Sequence, residues 1–151
     1  MLQCSGVILA GGQSSRMKRN KAFVEWEGSP LIVKQVEKLR SIFPEVMIVV
    51  KEPALYTSLG VKVVKDLLPY STPLTGIHSG LKNAHFPYIF VVACDMPFVD
   101  LNLAQYLASL APGYDGVVPR VKGRYEPLFA VYGKSCLPEI ESCLEKGIYK
   151  I

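Results

Sequence analysis

The four cysteines form no C-x-x-C pair, so the sequence lacks the spacing typical of a zinc knuckle. No apolar run approaches the ~20 residues that a membrane-spanning helix requires. The net charge of +4 is small and scattered, which argues against a nucleic-acid-binding surface but suits a pocket for small anions. We therefore expect a cytoplasmic protein with reduced thiols and with neither nucleic-acid nor membrane partners.

The two familiar phosphate-binding motifs, G-x-G-x-x-G and G-x-x-x-x-G-K-[ST], are also absent. The sequence has instead an apolar segment, residues 7–10, followed at once by Gly11 and Gly12 and then by Arg16 and Lys21. Glycine amides can approach an anion closely because no Cβ intervenes, and the two cations can neutralise further charge. The pattern predicts a loop that holds a triphosphate; the alternative is a solvated loop surface.

Short apolar runs alternate with amphipathic segments along all 151 residues. We predict strands at 6–10, 46–50, 61–64, 88–93, 115–119 and 126–132, and helices at 30–43, 53–59, 74–84, 100–110 and 135–145. Asp100 or Asn102 is the expected cap of the fourth helix. The alternation predicts an α/β fold in one domain over 1–151, with a mostly parallel (mixed) central sheet and helices on both faces.

Two aspartates follow predicted strands of this sheet. Since ligands of such sheets bind at the carboxyl ends of the strands, Asp95 lies on the same edge as the glycine loop. A carboxylate there can hold Mg²⁺ against a triphosphate, because Mg²⁺ prefers oxygen ligands and takes one or two carboxylates; the alternative is a loop cap. Asp66 follows the third strand, where it either contacts a base or ribose or belongs to a plain turn.

The segment LAGGQSSRM at 9–17, followed by NKA at 20–22, resembles the signature of the molybdenum cofactor guanylyltransferases of the MobA type. Three later segments agree in order: Asp66 with residues 73–77, residues 94–97, and residues 126–132. The resemblance implies a three-layer α/β/α Rossmann-like nucleotidyltransferase fold. It also implies transfer of GMP from GTP to the phosphate of molybdopterin, with release of pyrophosphate and Mg²⁺ as cofactor.

The resemblance further implies a role for each matching position. The implied nucleotide-binding residues are Leu9, Ala10, Gly11, Gly12, Lys21, Asp66 and Asp95. Asp95 would hold the Mg²⁺, and the catalytic residues would be Arg16, Lys21 and Asp95. Residues 126–128 would lie on the acceptor side of the cleft.

The implied partners are GTP, molybdopterin or the molybdenum cofactor, and the proteins that assemble this cofactor. Two alternatives stay open: the same chemistry with CTP or another phosphorylated acceptor, and a non-catalytic nucleotide-binding module. Lys18 stands where the family often has glycine. An Asn-x-Asn-Thr-Pro-like segment of the family is absent, so we expect the domain to lack its C-terminal segment.

Overall fold

A computed structural model describes residues 2–10, 25–26, 29–53, 56, 60–66, 68, 70, 72–96 and 98–149. The α-helices in these residues are α1 (Leu31–Arg40), α2 (Pro73–Asn83), α3 (Leu101–Leu110) and α4 (Leu137–Glu145). The strands are β1 (Cys4–Leu9), β2 (Glu25–Trp26), β3 (Ser29–Pro30), β4 (Glu45–Val50), β5 (Lys62–Lys65), β6 (Tyr88–Ala93), β7 (Gly116–Val117), β8 (Arg120–Val121), β9 (Arg124–Tyr125) and β10 (Phe129–Gly133).

The main sheet of the described residues has six strands in the order β5-β4-β1-β6-β10-β7. The strands β5, β4, β1 and β6 are parallel, and β10 is antiparallel to both β6 and β7. Strand β1 is therefore central, and its carboxyl end lies between those of β4 and β6. This arrangement confirms the predicted mostly parallel, mixed sheet.

Each face of the sheet buries its own apolar cluster, because successive side chains of a strand point to opposite faces. Ile8 and Phe90 belong to the cluster beneath α1 and α3. Val7 and Ile89 belong to the cluster beneath α2 and α4. The strands are thus apolar on both faces, and the fold has the three α/β/α layers that the resemblance implied.

The predicted elements agree best where the sequence signal is strong. The strand at 88–93 has the bounds of β6, and Asp100 is the cap of α3, since its carboxylate accepts a hydrogen bond from the Leu103 amide at 3.1 Å. The helix predicted at 53–59 falls mostly on residues outside the described set. In the described part, no helix is long and apolar enough to cross a membrane.

Two predicted strands are shorter in the structure. The strand at 115–119 is reduced to β7, because Pro119 has no amide for the ladder and the chain turns into the β8–β9 hairpin. The strand at 126–132 begins only at Phe129, since residues 126–128 form a turn in which the Phe129 amide donates to the Glu126 carbonyl at 3.2 Å.

Glu45 connects several elements at the amino-terminal edge of the sheet. Its Oε1 accepts hydrogen bonds from the buried Ser5 hydroxyl at 2.7 Å and from the His85 amide at 3.0 Å, and its Oε2 lies 3.4 Å from Lys62 Nζ. Burial of the carboxylate opposes ionisation. The hydrogen bonds and the charge of Lys62 outweigh it, so the pKa of Glu45 lies below its ordinary value.

We expect the free energy of unfolding of the Glu45→Gln variant to change less with pH in the acid range than that of the wild-type protein. A lowered folded-state pKa stabilises the protein above the unfolded-state pKa of about 4.3, and this stabilisation disappears as the pH falls through the folded value. Urea unfolding between about pH 7 and pH 3 should show a variant less stable by about 1 kcal/mol at neutral pH. Its deficit should shrink in acid, and a constant deficit would contradict this assignment.

Candidate functional site

Three neighbouring strands end level with one another at the carboxyl edge of the sheet. The Ala10 amide donates to the Val49 carbonyl at 3.0 Å, and the Cys94 amide donates to the Leu9 carbonyl at 3.1 Å. With strands about 5 Å apart, the turn after β6 lies one strand from the end of β1, and the end of β5 lies two strands away on the other side. The edge therefore brings together Leu9, Ala10, Asp66 and Asp95.

The Asp95 carboxylate is exposed at this edge. Its turn is closed by a hydrogen bond from the Met96 amide to the Ala93 carbonyl at 3.3 Å. None of the described residues hydrogen bonds to this exposed carboxylate, so within the described part of the chain its oxygens are accessible to a cation. The described part contains no group of three or more His, Cys, Asp or Glu side chains that could hold a metal ion. The single Asp95 carboxylate fits Mg²⁺ that is bound by one protein carboxylate and by the phosphates of a ligand.

Gln35 of α1 holds the turn that carries Asp95. Its amide Nε2 donates to the Ala93 carbonyl at 3.0 Å and to the Met96 carbonyl at 2.8 Å, and its side chain is buried. Because the NH₂ group must face these two carbonyls, Oε1 is left buried without a hydrogen-bond partner among the described residues. Sequence reasoning missed this residue. The available signal was a glutamine on the apolar face of α1.

The Asp66 carboxylate is held by two hydroxyl groups of α2. Ser79 Oγ donates to Oδ1 at 3.1 Å, and Thr75 Oγ1 lies 2.8 Å from Oδ2. Thr75 Oγ1 also lies 2.8 Å from the Thr72 carbonyl, so its single proton is shared between two acceptors. The Asp66 amide donates to the Val50 carbonyl at 2.7 Å, which ties the residue to the end of β4. Asp66 is therefore fixed in orientation at the carboxyl edge.

Helix α2 approaches β1 closely because two of its facing positions are glycines. A Cβ at Gly76 would lie 2.9 Å from Leu9 Cδ2, and one at Gly80 would lie 3.1 Å from Val7 Cγ1. Both distances are shorter than normal van der Waals contact. The close approach of α2 thus brings the hydroxyl groups that hold Asp66 next to the end of β1, which leads into the glycine loop.

Strand β10 brings a further segment to the carboxyl edge. It is antiparallel to β6, with Phe129 paired to Val92, so the residues before it lie where the parallel strands end. Burial raises the pKa of the Tyr132 phenol, which stays protonated and donates to the Pro127 carbonyl at 2.6 Å. The segment 126–128, predicted on the acceptor side, therefore shares an edge with Asp95.

Burial makes two of the four cysteines poor nucleophiles. None of the four forms a disulfide bond. Burial raises the pKa of the Cys4 thiol to about 12, and it also raises the pKa of the Cys136 thiol. Both groups are therefore thiols at neutral pH and poor nucleophiles.

The remaining predicted site residues lie outside the described set. These are Gly11, Gly12, Arg16 and Lys21, together with Lys18. The described edge accordingly consists of Leu9 and Ala10, the fixed Asp66, the open Asp95 and the turn before β10.

We expect Gln35→Leu to lower the free energy of unfolding by about 1–2 kcal/mol, since two buried hydrogen bonds are lost at similar side-chain volume. Gln35→Glu should be more damaging, because a buried carboxylate would face two carbonyl oxygens. Its deficit should shrink as the pH is lowered and the carboxylate is protonated. Urea unfolding at neutral and acid pH checks both variants; equal, pH-independent losses would refute the hydrogen-bond assignment.

Known proteins match this chain over most of its length. The model of the MobA-like NTP transferase domain matches residues 6–151. A relative from Pelotomaculum thermopropionicum, named probable molybdenum cofactor guanylyltransferase, is 46% identical over 100% of this chain and 74% of its own length. One of the same name from Clostridium perfringens is 42% identical over 100% of this chain and 76% of its own length.

A solved structure gives the same result at the level of the fold. The molybdopterin-guanine dinucleotide biosynthesis protein A of Archaeoglobus fulgidus superposes with a TM-score of 0.81 at 29% identity, over 97% of this chain and 75% of that one. The fold, the matched sequence and the relatives lead to one assignment. The chain belongs to the family of MobA-like NTP transferase domains.

Proposed function

We propose that this protein transfers GMP from GTP to the terminal phosphate of molybdopterin and releases pyrophosphate. The supporting observation is the open Asp95 carboxylate, which lies at the same edge as Leu9 and the fixed Asp66. Relatives that are 42% and 46% identical are named probable molybdenum cofactor guanylyltransferases. Proteins that assemble the molybdenum cofactor are the macromolecular partners we expect.

In this reaction an oxygen of the acceptor phosphate attacks the α-phosphorus of GTP, and the bond from that phosphorus to the bridging oxygen breaks. Pyrophosphate leaves with the electron pair of the broken bond. No covalent intermediate on the protein is needed, because the acceptor phosphate is already ionised. The main obstacle is repulsion between two anions, which the protein must offset with positive charge and amide dipoles.

Asp95 would hold Mg²⁺, which neutralises phosphate charge when bound. Arg16 and Lys21 would add cationic contacts, and the amides of Gly11 and Gly12 would line the phosphates. Gln35 acts through Asp95, since its amide fixes the turn on both sides of that residue.

The order of the strands separates two sides of this cleft. Asp66 follows β5, on one side of β1, and would lie near the guanine nucleoside. The turn 126–128 precedes β10, on the far side of β6, and would lie near the acceptor. Asp95 follows β6 and is therefore between the two, where the phosphorus to be attacked would lie.

Pyrophosphate release measured with GTP, CTP and ATP in the presence of molybdopterin and Mg²⁺ tests the activity. We expect GTP to be the preferred substrate, with a guanine dinucleotide product. Preference for CTP would make the protein a cytidylyltransferase. Binding of a nucleotide in calorimetry, with no pyrophosphate release, would instead make it a nucleotide-binding module.

Asp95→Asn tests the metal assignment, because it removes one charge at nearly constant volume. We expect kcat to fall by ~10²–10³, the effect typical of one lost electrostatic contact to a transition state. Asp100→Asn is the matched control: it removes the same charge from the next aspartate along the chain, and asparagine caps a helix as well as aspartate does. Near-normal, Mg²⁺-dependent turnover in Asp95→Asn would exclude Asp95 as the metal ligand.

A further inference from the structure

The β8–β9 hairpin is a basic element that the site described above does not include. Arg120 pairs with Tyr125, and Val121 pairs with Arg124. Lys122 and Gly123 form the turn with φ of 50° and 80°. All six residues are exposed. The hairpin therefore presents three cations, an aromatic ring and a valine to solvent.

The hairpin extends beyond the carboxyl edge of the sheet. It follows β7, which pairs with β10 through Val117 and Val131. The Glu126 amide donates to the Pro119 carbonyl at 2.9 Å, so the hairpin starts beside the turn 126–128. Since β7 lies two strands from β6, these two strands are about 10 Å apart. The hairpin, with two residues per strand and a turn, extends about 10 Å further along the strand direction.

The three cations have no acidic partner among the described residues. Edge strands often carry charge that prevents aggregation, but that purpose does not require a cation beside an exposed aromatic ring, as Arg120 is beside Tyr125. Three like charges within six residues repel one another, and this repulsion is relieved when an anion binds. The hairpin lies on the β10 side of Asp95, which is the side proposed for the acceptor.

The two faces of the hairpin carry different combinations of side chains. Directly paired residues share a face, so Arg120 and Tyr125 lie on one face and Val121 and Arg124 on the other. The Arg120 guanidinium lies 5.6 Å from the centroid of the Tyr125 ring, which is 66% exposed. A cation beside an accessible ring suits a ligand that joins a phosphate to a flat heterocycle.

We propose that the β8–β9 hairpin forms the outer wall of the acceptor site and binds the phosphorylated pterin. The Arg120 guanidinium contacts the acceptor phosphate, and the Tyr125 ring packs against the heterocycle. Lys122 and Arg124 add to the positive field that attracts the anion. This inference rests on the proposed function, because it takes its ligand from that reaction. The nucleotide lies on the other side of Asp95, so its binding does not involve the hairpin.

The test is a hairpin variant with the three charges removed, Arg120→Gln/Lys122→Asn/Arg124→Gln. Asparagine is chosen at position 122 because it tolerates a positive φ. Molybdopterin binding is followed by pterin fluorescence and GTP binding by calorimetry. We expect the Kd for molybdopterin to rise at least about tenfold, since the Arg120 contact and the attraction of the other two cations are lost. The Kd for GTP should stay within about twofold, and the salt dependence of acceptor binding should weaken.

A matched pair of single variants controls for net charge and folding. Arg120→Gln removes one charge from the hairpin face that carries Tyr125, and Lys38→Gln removes one from the last turn of α1, near the opposite edge. Only Arg120→Gln should weaken acceptor binding, and far-UV circular dichroism should be unchanged in both.

The outcomes separate this inference from the proposed function. If the wild-type protein transfers GMP and the triple variant binds molybdopterin normally, the hairpin proposal is wrong and the function stands. If the wild-type protein binds molybdopterin but does not transfer GMP to it, the proposed function is wrong. The Kd of the triple variant for molybdopterin, relative to that of the wild type, still decides the hairpin's role. If the wild-type protein does not bind molybdopterin, both fail. Unchanged acceptor binding with lost binding of an acidic assembly protein would assign the hairpin to a protein contact instead.

Discussion

The parallel pairing of β1 with β4 and β6 is the interaction on which the candidate site depends. Register in this trio makes the strands end together, and the hydrogen bonds from Ala10 to Val49 and from Cys94 to Leu9 continue the ladder past the strand ends. The backbone that leads into the glycine loop and the turn that carries Asp95 are therefore neighbours before any side chain is considered. Burial of all three strands on both faces stabilises this register.

The surroundings of the two carboxylates at the edge suit the repulsion between substrates that the proposed reaction must overcome. In the proposed reaction both substrates are anions, so an acidic side chain is useful only if a cation covers it. We propose that the exposed Asp95 carboxylate binds such a cation. Asp66 has different surroundings, because hydroxyl groups form hydrogen bonds with both of its carboxylate oxygens. Two carboxylates on one edge thus have different surroundings: one is available to a metal, and the other is held in a fixed orientation.

Much of this could be predicted from the sequence because the relevant signals are local. The continuous apolar run of β6, the cap at Asp100 and the position of Asp95 just after a strand are all visible within a few residues. The hydrogen bonds of Gln35 are not, since the carbonyls that it meets are 58 and 61 residues away. The β8–β9 hairpin was missed because its turn requires Lys122 in the left-handed region, where glycine or asparagine is the usual signal.

The glycines of α2 have a mechanical consequence. With no Cβ at positions 76 and 80, the helix backbone lies directly on the side chains of Leu9 and Val7, and little compressible space separates the two elements. Helix α2 and strand β1 should therefore move as one stiff body. We expect a force on Asp66 to pass through Thr75, Ser79 and α2 to Leu9, so that these two parts of the carboxyl edge move together.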